Sequence, residues 1–228
     1  MLLDDEGHHI TTSKVQNSKF KAGAGHLPRI YPITDTRISG VSHLEQVKLL
    51  AEGGATLIQL RDKHATPREF YSAALECIEF ARPRGVMILV NDRVDVALAS
   101  GADGVHLGQD DMPPEAARRV LGPDAIIGYS THSVEQAIAA ELMPVDYIAI
   151  GPVFGTTTKE NPEPVVGLKG VEAVRSVIGT TPLVAIGGIR GEDLADVISA
   201  GATSVAIISG ILAHQDGIAA ATRRLCPL

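Results

Sequence analysis

From Arg29 onward the chain alternates between short apolar runs and longer segments in which apolar residues recur at helical spacing. The runs fall at 30–33, 56–60, 86–90, 104–107, 126–129, 147–150, 183–186 and 204–208. They suit strands buried on both faces, the condition of a parallel sheet covered by helices. Helix starts between them are written in capping chemistry. Thr66-Pro67-Arg68-Glu69 sets an N-cap hydroxyl, a proline at the first helical position and a capping-box glutamate in register. Ser133-Val134-Glu135-Gln136 repeats the box with glutamine, and Val134, Ala137, Ile138 and Leu142 are predicted to share one helix face. The phrases Gly53-Gly54-Ala55, Gly101-Ala102 and Gly201-Ala202 are read as left-handed C-terminal caps that lead into the next strand. Eight strands alternating with helices imply right-handed crossovers and a parallel sheet. No Gly-x-Gly-x-x-Gly opens a helix in the first unit, as an open dinucleotide-binding sheet would require. The prediction is an α/β fold, a single (β/α)8 TIM barrel over residues 28–228. Residues 1–27, polar and glycine-rich, are expected to form an N-terminal arm, flexible or a capping helix.

Barrels of this kind build their active sites at the C-terminal ends of the strands. The residue types there are therefore informative. After the second run come Gln59, Arg61 and Lys63, which alternation places on one side. Asn91-Asp92-Arg93 follows the third run, Gly108-Gln109-Asp110-Asp111 the fourth and Ser130-Thr131-His132 the fifth. The sixth run ends at Gly151-Pro152 and opens into a loop with Gly155, three threonines at 156–158 and Lys159. Gly187-Gly188 follows the seventh run, and Ser209-Gly210 the eighth. Two sub-sites follow from this layout. The glycine pair and the helix start at Ser209 match a phosphate pocket built from backbone N–H groups. The second gathers the cations Arg61, Lys63 and Lys159 with the carboxylates of Asp92 and Asp111. Carboxylates accompany a pyrophosphate where a hard divalent cation lies between them, and Mg2+ is the common one. Taken singly, either aspartate reads equally well as a helix cap or a surface ion pair.

Composition narrows the possibilities without redirecting them. The 228 residues and 45% hydrophobic content suit one large domain with a sizeable core. A net charge of −7 and the lack of a basic stripe argue against nucleic acid as a partner. No run approaches the roughly 20 apolar residues of a membrane span, so no membrane partner is expected. Cys77 and Cys226 have no metal or redox spacing, and the chain reads as cytoplasmic and free of disulfides. Oligomeric state is not written in the sequence.

The strand-end motifs also carry a family resemblance. Tyr31-Pro32-Ile33-Thr34-Asp35, Gln59-Leu60-Arg61-Asp62-Lys63, Asn91-Asp92-Arg93, His106-Leu107-Gly108-Gln109-Asp110-Asp111, Ser130-Thr131-His132, Gly151-Pro152-Val153-Phe154 with the Thr-rich loop, and Gly187-Gly188-Ile189 resemble thiamine-phosphate synthases. The resemblance runs from about Arg29 to the end. It implies an enzyme, a transferase of thiamine biosynthesis. Its small-molecule substrates would be 4-amino-2-methyl-5-(diphosphooxymethyl)pyrimidine and 4-methyl-5-(2-phosphooxyethyl)thiazole, and its products thiamine phosphate and pyrophosphate. By the same resemblance Gln59, Arg61, Lys63, Asn91, Ser130 and Lys159 match pyrimidine-diphosphate positions, with Arg61, Lys63, Ser130 and Lys159 closest to the chemistry. Asp92 and Asp111 match Mg2+ ligands, and Thr156, Thr158, Gly188, Ile208 and Ser209 match the thiazole-phosphate site. Departures are mild: Asp62 stands where glutamate is frequent, Gly155 where proline is, and Gly210 where alanine is. The related thiazole tautomerases share the barrel and carry a histidine near His132, but generally lack the paired aspartates and the lysine. A tautomerase and a non-catalytic thiamine-phosphate binder are the two other readings. His132 is expected to order its loop, and His106 to be a hydrogen-bonded barrel residue.

Overall fold

All eight apolar runs become strands. A computed structural model describes residues 27–156, 158 and 163–226. The strands are β1 (Ile30–Pro32), β2 (Leu57–Leu60), β3 (Met87–Asn91), β4 (Gly104–Leu107), β5 (Ile126–Thr131), β6 (Tyr147–Ile150), β7 (Leu183–Ile186) and β8 (Ser204–Ile207). Every adjacent pair is parallel, in the order β1-β8-β7-β6-β5-β4-β3-β2. An isolated parallel bridge between Ile33 and Gln59 brings β1 to β2 and closes the ring, with Thr34 N–H donating to the Gln59 carbonyl at 2.8 Å. The (β/α)8 barrel is therefore formed. Helices α1 (Thr36–Ser39), α2 (His43–Glu52), α3 (Pro67–Ala81), α4 (Val94–Ser100), α5 (Pro114–Leu121), α6 (Val134–Glu141), α7 (Gly167–Val177), α8 (Leu194–Ser199), α9 (Ser209–Leu212) and α10 (Ile218–Leu225) surround it.

Two apolar layers hold the fold together. Outside the ring, strand residues such as Ile58, Val90, Val105 and Ile148 pack against helix residues such as Leu50, Phe70, Ala137 and Val171. Inside the ring, Leu27, Tyr31, Leu57, Leu89, Ile126, Tyr147, Val184 and Ala206 form a second cluster. Each fully buried aliphatic side chain stabilises the fold by ~1.5–3 kcal/mol relative to exposure. Leu27, the last residue of the expected arm, is buried in this inner cluster. Residues 1–26 lie outside the described residues.

Most of the capping chemistry forms as written, with two corrections. Thr66 and Glu69 exchange both bonds of the capping box, and Pro67 occupies the first helical turn. The left-handed position after α2 falls within the expected phrase, on Gly54 (φ 96°). The α6 face is different. Ala137 and Ala140 are buried, whereas Ile138 and Leu142 are exposed, Leu142 at 83%. The alanines let α6 lie close to the sheet, which rotates the larger side chains outward. Ser133 accepts from Gln136 N–H as expected, but the Gln136 side chain accepts from His132 N–H at 2.7 Å instead of completing the box. Cys77 is a core residue of α3, and burial pushes its thiol up to about 12.

Aspartates at the N-terminal end of the barrel are structural. Asp103 accepts from Ile88 N–H at 2.9 Å. Asp146, 2% exposed, accepts from Ile127 N–H and from Arg118, both at 2.7 Å. Each tethers the start of a strand to the preceding one.

Candidate active site

At the opposite end of the barrel the strand tips surround a cavity of about 450 Å3. Gln59, Arg61, Lys63, Asn91, Asp92, Asp111, Ser130, Thr156, Thr158 and Ile208 all line it. Gly188 and Ser209 stand one residue beyond the lining residues Gly187 and Ile208. Lys159 and Thr157 lie outside the described residues. Strand-end residues that sequence order scatters over 150 positions are thus brought to one concave surface, as the fold demands. Another hollow, about 420 Å3, opens beside His43, Asp62 and Phe70 and holds none of these residues.

The β2 tip is held by the β1–α1 turn. Asp35 caps α1 through the N–H groups of Arg37 and Ile38 and forms an ion pair with Arg61. The expected alternation holds: Asp62 turns away from the cavity to accept from the N–H groups of His64 and Ala65 and to meet His43 at 3.2 Å. Lys63 reaches across to pair with Asp92.

Asp92 has an unusual backbone. Its φ is 63°, and it is the one non-glycine residue in that region among the described residues. Aspartate tolerates the left-handed region better than most side chains, yet the conformation costs of order 1–3 kcal/mol and persists where surroundings enforce it. Here Asp92 N–H donates to the His106 carbonyl and Arg93 N–H to the Asn91 carbonyl, both at 2.8 Å. The turn lifts Asp92 off the end of β3 toward Asp111. Asp111 accepts from Gly108 N–H at 2.7 Å. Burial first, then the neighbouring Asp92 carboxylate, hold the Asp111 carboxyl above its ordinary range, against the pull of Gly108 N–H and Lys63.

On the β4 and β5 side, Gln109 donates from its side chain to the Ser130 carbonyl at 2.5 Å. Ser130 and Thr131 belong to β5, and Asn91 to β3, so these strands run one or two residues further than the apolar pattern indicates. His132 donates from Nδ1 to the Gly151 carbonyl at 2.6 Å, which anchors its ring to the start of the Thr-rich loop. That loop is in turn pinned to β7, with Val153 N–H on the Ile186 carbonyl and Phe154 N–H on the Gly187 carbonyl, each at 2.9 Å. At Gly188 (φ 67°) a Cβ would lie 2.5 Å from the Gly155 carbonyl oxygen, so only glycine lets the loop and β7 approach.

Below the cavity lies a feature the apolar pattern hides. Gln59 donates to the Tyr31 hydroxyl, which meets the Tyr147 hydroxyl at 2.9 Å. Tyr147 meets His106 Nδ1 at 2.9 Å, and His106 Nε2 meets the Ser130 hydroxyl at 2.8 Å. Burial lowers the His106 imidazole to about 4 and raises both phenols. Tyr31 and Tyr147 read as core aromatics in sequence, because their partners are up to 116 positions away. Gln136 and Glu163 also line the cavity; neither stands at a strand tip, Gln136 reads in sequence as a capping residue, and no sequence signal marks Glu163.

Comparison with known proteins agrees with the geometry. Residues 30–211 match the family model described as thiamine monophosphate synthase. The thiamine-phosphate synthase of Chloroflexus aurantiacus is 45% identical over 198 residues, covering 86% of this chain and 90% of the relative. That of Koribacter versatilis is 48% identical over 193 residues, covering 82% and 90%. Among solved structures, a thiamine phosphate pyrophosphorylase from Pyrococcus furiosus superposes with a TM-score of 0.78 at 39% identity, covering 86% of this chain and 93% of its own.

Proposed function

The chain belongs to the thiamine monophosphate synthase family, transferases of thiamine biosynthesis, and from that premise we propose the substrates and the residues that act on them. The reaction couples 4-amino-2-methyl-5-(diphosphooxymethyl)pyrimidine to 4-methyl-5-(2-phosphooxyethyl)thiazole. The bond between the pyrimidine methylene carbon and the diphosphate oxygen breaks, and its electron pair leaves with pyrophosphate. The thiazole nitrogen supplies the pair for the new C–N bond. No proton need be removed from the nucleophile, which is consistent with a cavity rich in anion-binding groups.

The observation that carries this reading is the convergence of Arg61 and Lys63 with Asp92 and Asp111 on one cavity wall. Burial, and after it the neighbouring Asp92 carboxylate, raise the Asp111 carboxyl, an arrangement that suits a shared cation. The donor set is hard oxygen only, and among the described residues no three histidine, cysteine or carboxylate groups converge as a closed metal cage. That set fits Mg2+, which takes its remaining oxygens from water and substrate phosphates. Held by Asp92 and Asp111, Mg2+ would supply fixed positive charge at the diphosphate oxygens. Lys63 and Arg61 neutralise charge that builds on the departing pyrophosphate, joined by Lys159. Gln59, Asn91 and Ser130 orient the aminopyrimidine. Thr156, Thr158, Gly188, Ile208 and Ser209 receive the thiazole phosphate.

The experiment is pyrophosphate release from the two substrates, with and without Mg2+. Release that requires both substrates and stops in chelator supports the assignment. Full activity in excess chelator would remove Asp92 and Asp111 from the metal role.

A further inference from the structure

The polar chain beneath the cavity joins Gln59 on β2 to Ser130 on β5 across the barrel interior. It contains four contacts, Gln59–Tyr31, Tyr31–Tyr147, Tyr147–His106 and His106–Ser130. A hydrogen bond needs one proton in each contact. Each phenol brings one, and an imidazole hydrogen-bonded through both nitrogens brings one in its neutral form. The fourth must come from one end of the chain, from the Gln59 amide or from the Ser130 hydroxyl. The two ends therefore cannot both donate inward, and they cannot both accept without breaking a contact.

We propose that Tyr31, Tyr147 and His106 act as a reversible relay that couples the hydrogen-bonding polarity of Gln59 to that of Ser130, so that the cavity presents one acceptor and one donor as a linked pair. Where Gln59 donates to Tyr31, the proton count makes Tyr31 donate to Tyr147, Tyr147 to His106 Nδ1, and His106 Nε2–H to Ser130 across the contacts present. The Gln59 carbonyl is then left for the cavity, and so is the Ser130 proton. Reversal turns the Gln59 amide about, moves the imidazole proton to Nδ1, and leaves Ser130 as an acceptor. The middle of the relay is enclosed: Tyr31 and Tyr147 are 1% and 0% exposed. Water therefore cannot enter to relieve a mismatch, and an unpaired buried polar group is costly.

The surrounding packing fixes the relay in place. Tyr147 lies edge-on to Tyr31 and stacks on His106 with ring centroids 5.6 Å apart. It crosses β5 at Gly128, where a Cβ would come within 2.3 Å of the phenolic oxygen. The bare backbone at Gly128 is what lets the hydroxyl reach His106.

The consequence for the ligand rests on the reading of Gln59 and Ser130 as aminopyrimidine contacts. An exocyclic amine donates to the Gln59 carbonyl while Ser130 donates to an acceptor on the same molecule. The 4-oxo analogue, which puts an acceptor where the amine stood, requires the whole relay to reverse. Tyr31, Tyr147 and His106 are thus positioning residues that help the site distinguish amino from oxo rings without touching either substituent.

The test is the His106 tautomer, read from its imidazole 15N resonances at pH 8 in the full chain. The wild type is expected to carry its proton on Nε2. Gln59→Glu places an acceptor-only carboxylate at one end and should move the proton to Nδ1. In the Gln59→Glu, Tyr147→Phe double variant the proton should no longer follow position 59. An unchanged tautomer in Gln59→Glu, or the same change without the Tyr147 hydroxyl, overturns the relay. Should Gln59→Glu fail to fold, the wild type is titrated with the pyrimidine diphosphate and with its 4-oxo analogue. Opposite tautomers support the relay, and identical ones refute it. Pyrophosphate release without any tautomer response would refute the relay alone, and a tautomer response to Gln59→Glu without release would refute the substrate assignment alone.

Discussion

The two ends of the barrel use the same side chain for opposite purposes. At the N-terminal end, Asp103 and Asp146 accept strand N–H groups, and Asp146 is additionally neutralised by Arg118. At the C-terminal end, Asp92 and Asp111 are set against one another, one on a left-handed turn, the other with a raised carboxyl. The first pair lowers the energy of the fold. The second keeps carboxylates close at some cost to it, a cost that makes sense where a cation and an anionic substrate are to be bound. Residue type alone does not separate these roles; the second carboxylate that faces each of Asp92 and Asp111 does.

Substitutions at the two ends should separate accordingly. The largest loss of stability is expected for Asp146→Ala, which removes the carboxylate partner of a partly buried guanidinium and the acceptor of the Ile127 N–H. Chemical unfolding should show a loss of about 3 kcal/mol, with activity per folded molecule kept. A loss of activity at unchanged stability would erase the distinction.

His106, under the C-terminal end, ties that end to pH. Its folded value of about 4 lies below the unfolded 6.5, so the unfolded chain binds the extra proton between them. Stability from this group is full above 6.5 and is lost as pH falls toward 4. The difference between wild type and His106→Gln should shrink by up to about 3 kcal/mol over that window. A flat difference in unfolding midpoints would mean that His106 is not kept neutral by burial.

At the C-terminal end, Asp92→Asn and Asp111→Asn should each slow pyrophosphate release at least about tenfold, or roughly 1.4 kcal/mol. Each should raise the Mg2+ needed for half activity and leave the melting midpoint level or slightly higher, since a like charge is removed. Acting through one ion, they should not multiply in the double variant. Independent effects at an unchanged Mg2+ requirement would mean that the two do not share a cation. The smallest effect is expected for His132→Ala. Its ring anchors the loop through the Gly151 carbonyl, so a severalfold slowing is expected. A loss beyond roughly a thousandfold would indicate proton transfer by the imidazole.

How much of this was legible in the chain depends on the range of the interaction. Capping boxes and apolar runs act over a few residues, and the eight strands and the Thr66–Glu69 cap are read correctly. Strand ends are less so: Asn91 and Ser130 look like loop residues because they are polar, but the ladder continues through them and turns them into the cavity. Ile138 and Leu142 were misplaced because periodicity weights size, while close packing against the sheet selected Ala137 and Ala140. The left-handed Asp92 and the contacts of Tyr31 and Tyr147 have no local signature, since both arise from neighbours brought by the closed ring.

The join between β1 and β2 is slight, one bridge at Ile33 and Gln59 with the Thr34 N–H on the Gln59 carbonyl. Gln59 thus serves as the clasp of the hoop through its backbone and as a wall of the cavity through its side chain. The seam that closes the hoop and the wall of the hollow it encloses meet in a single residue.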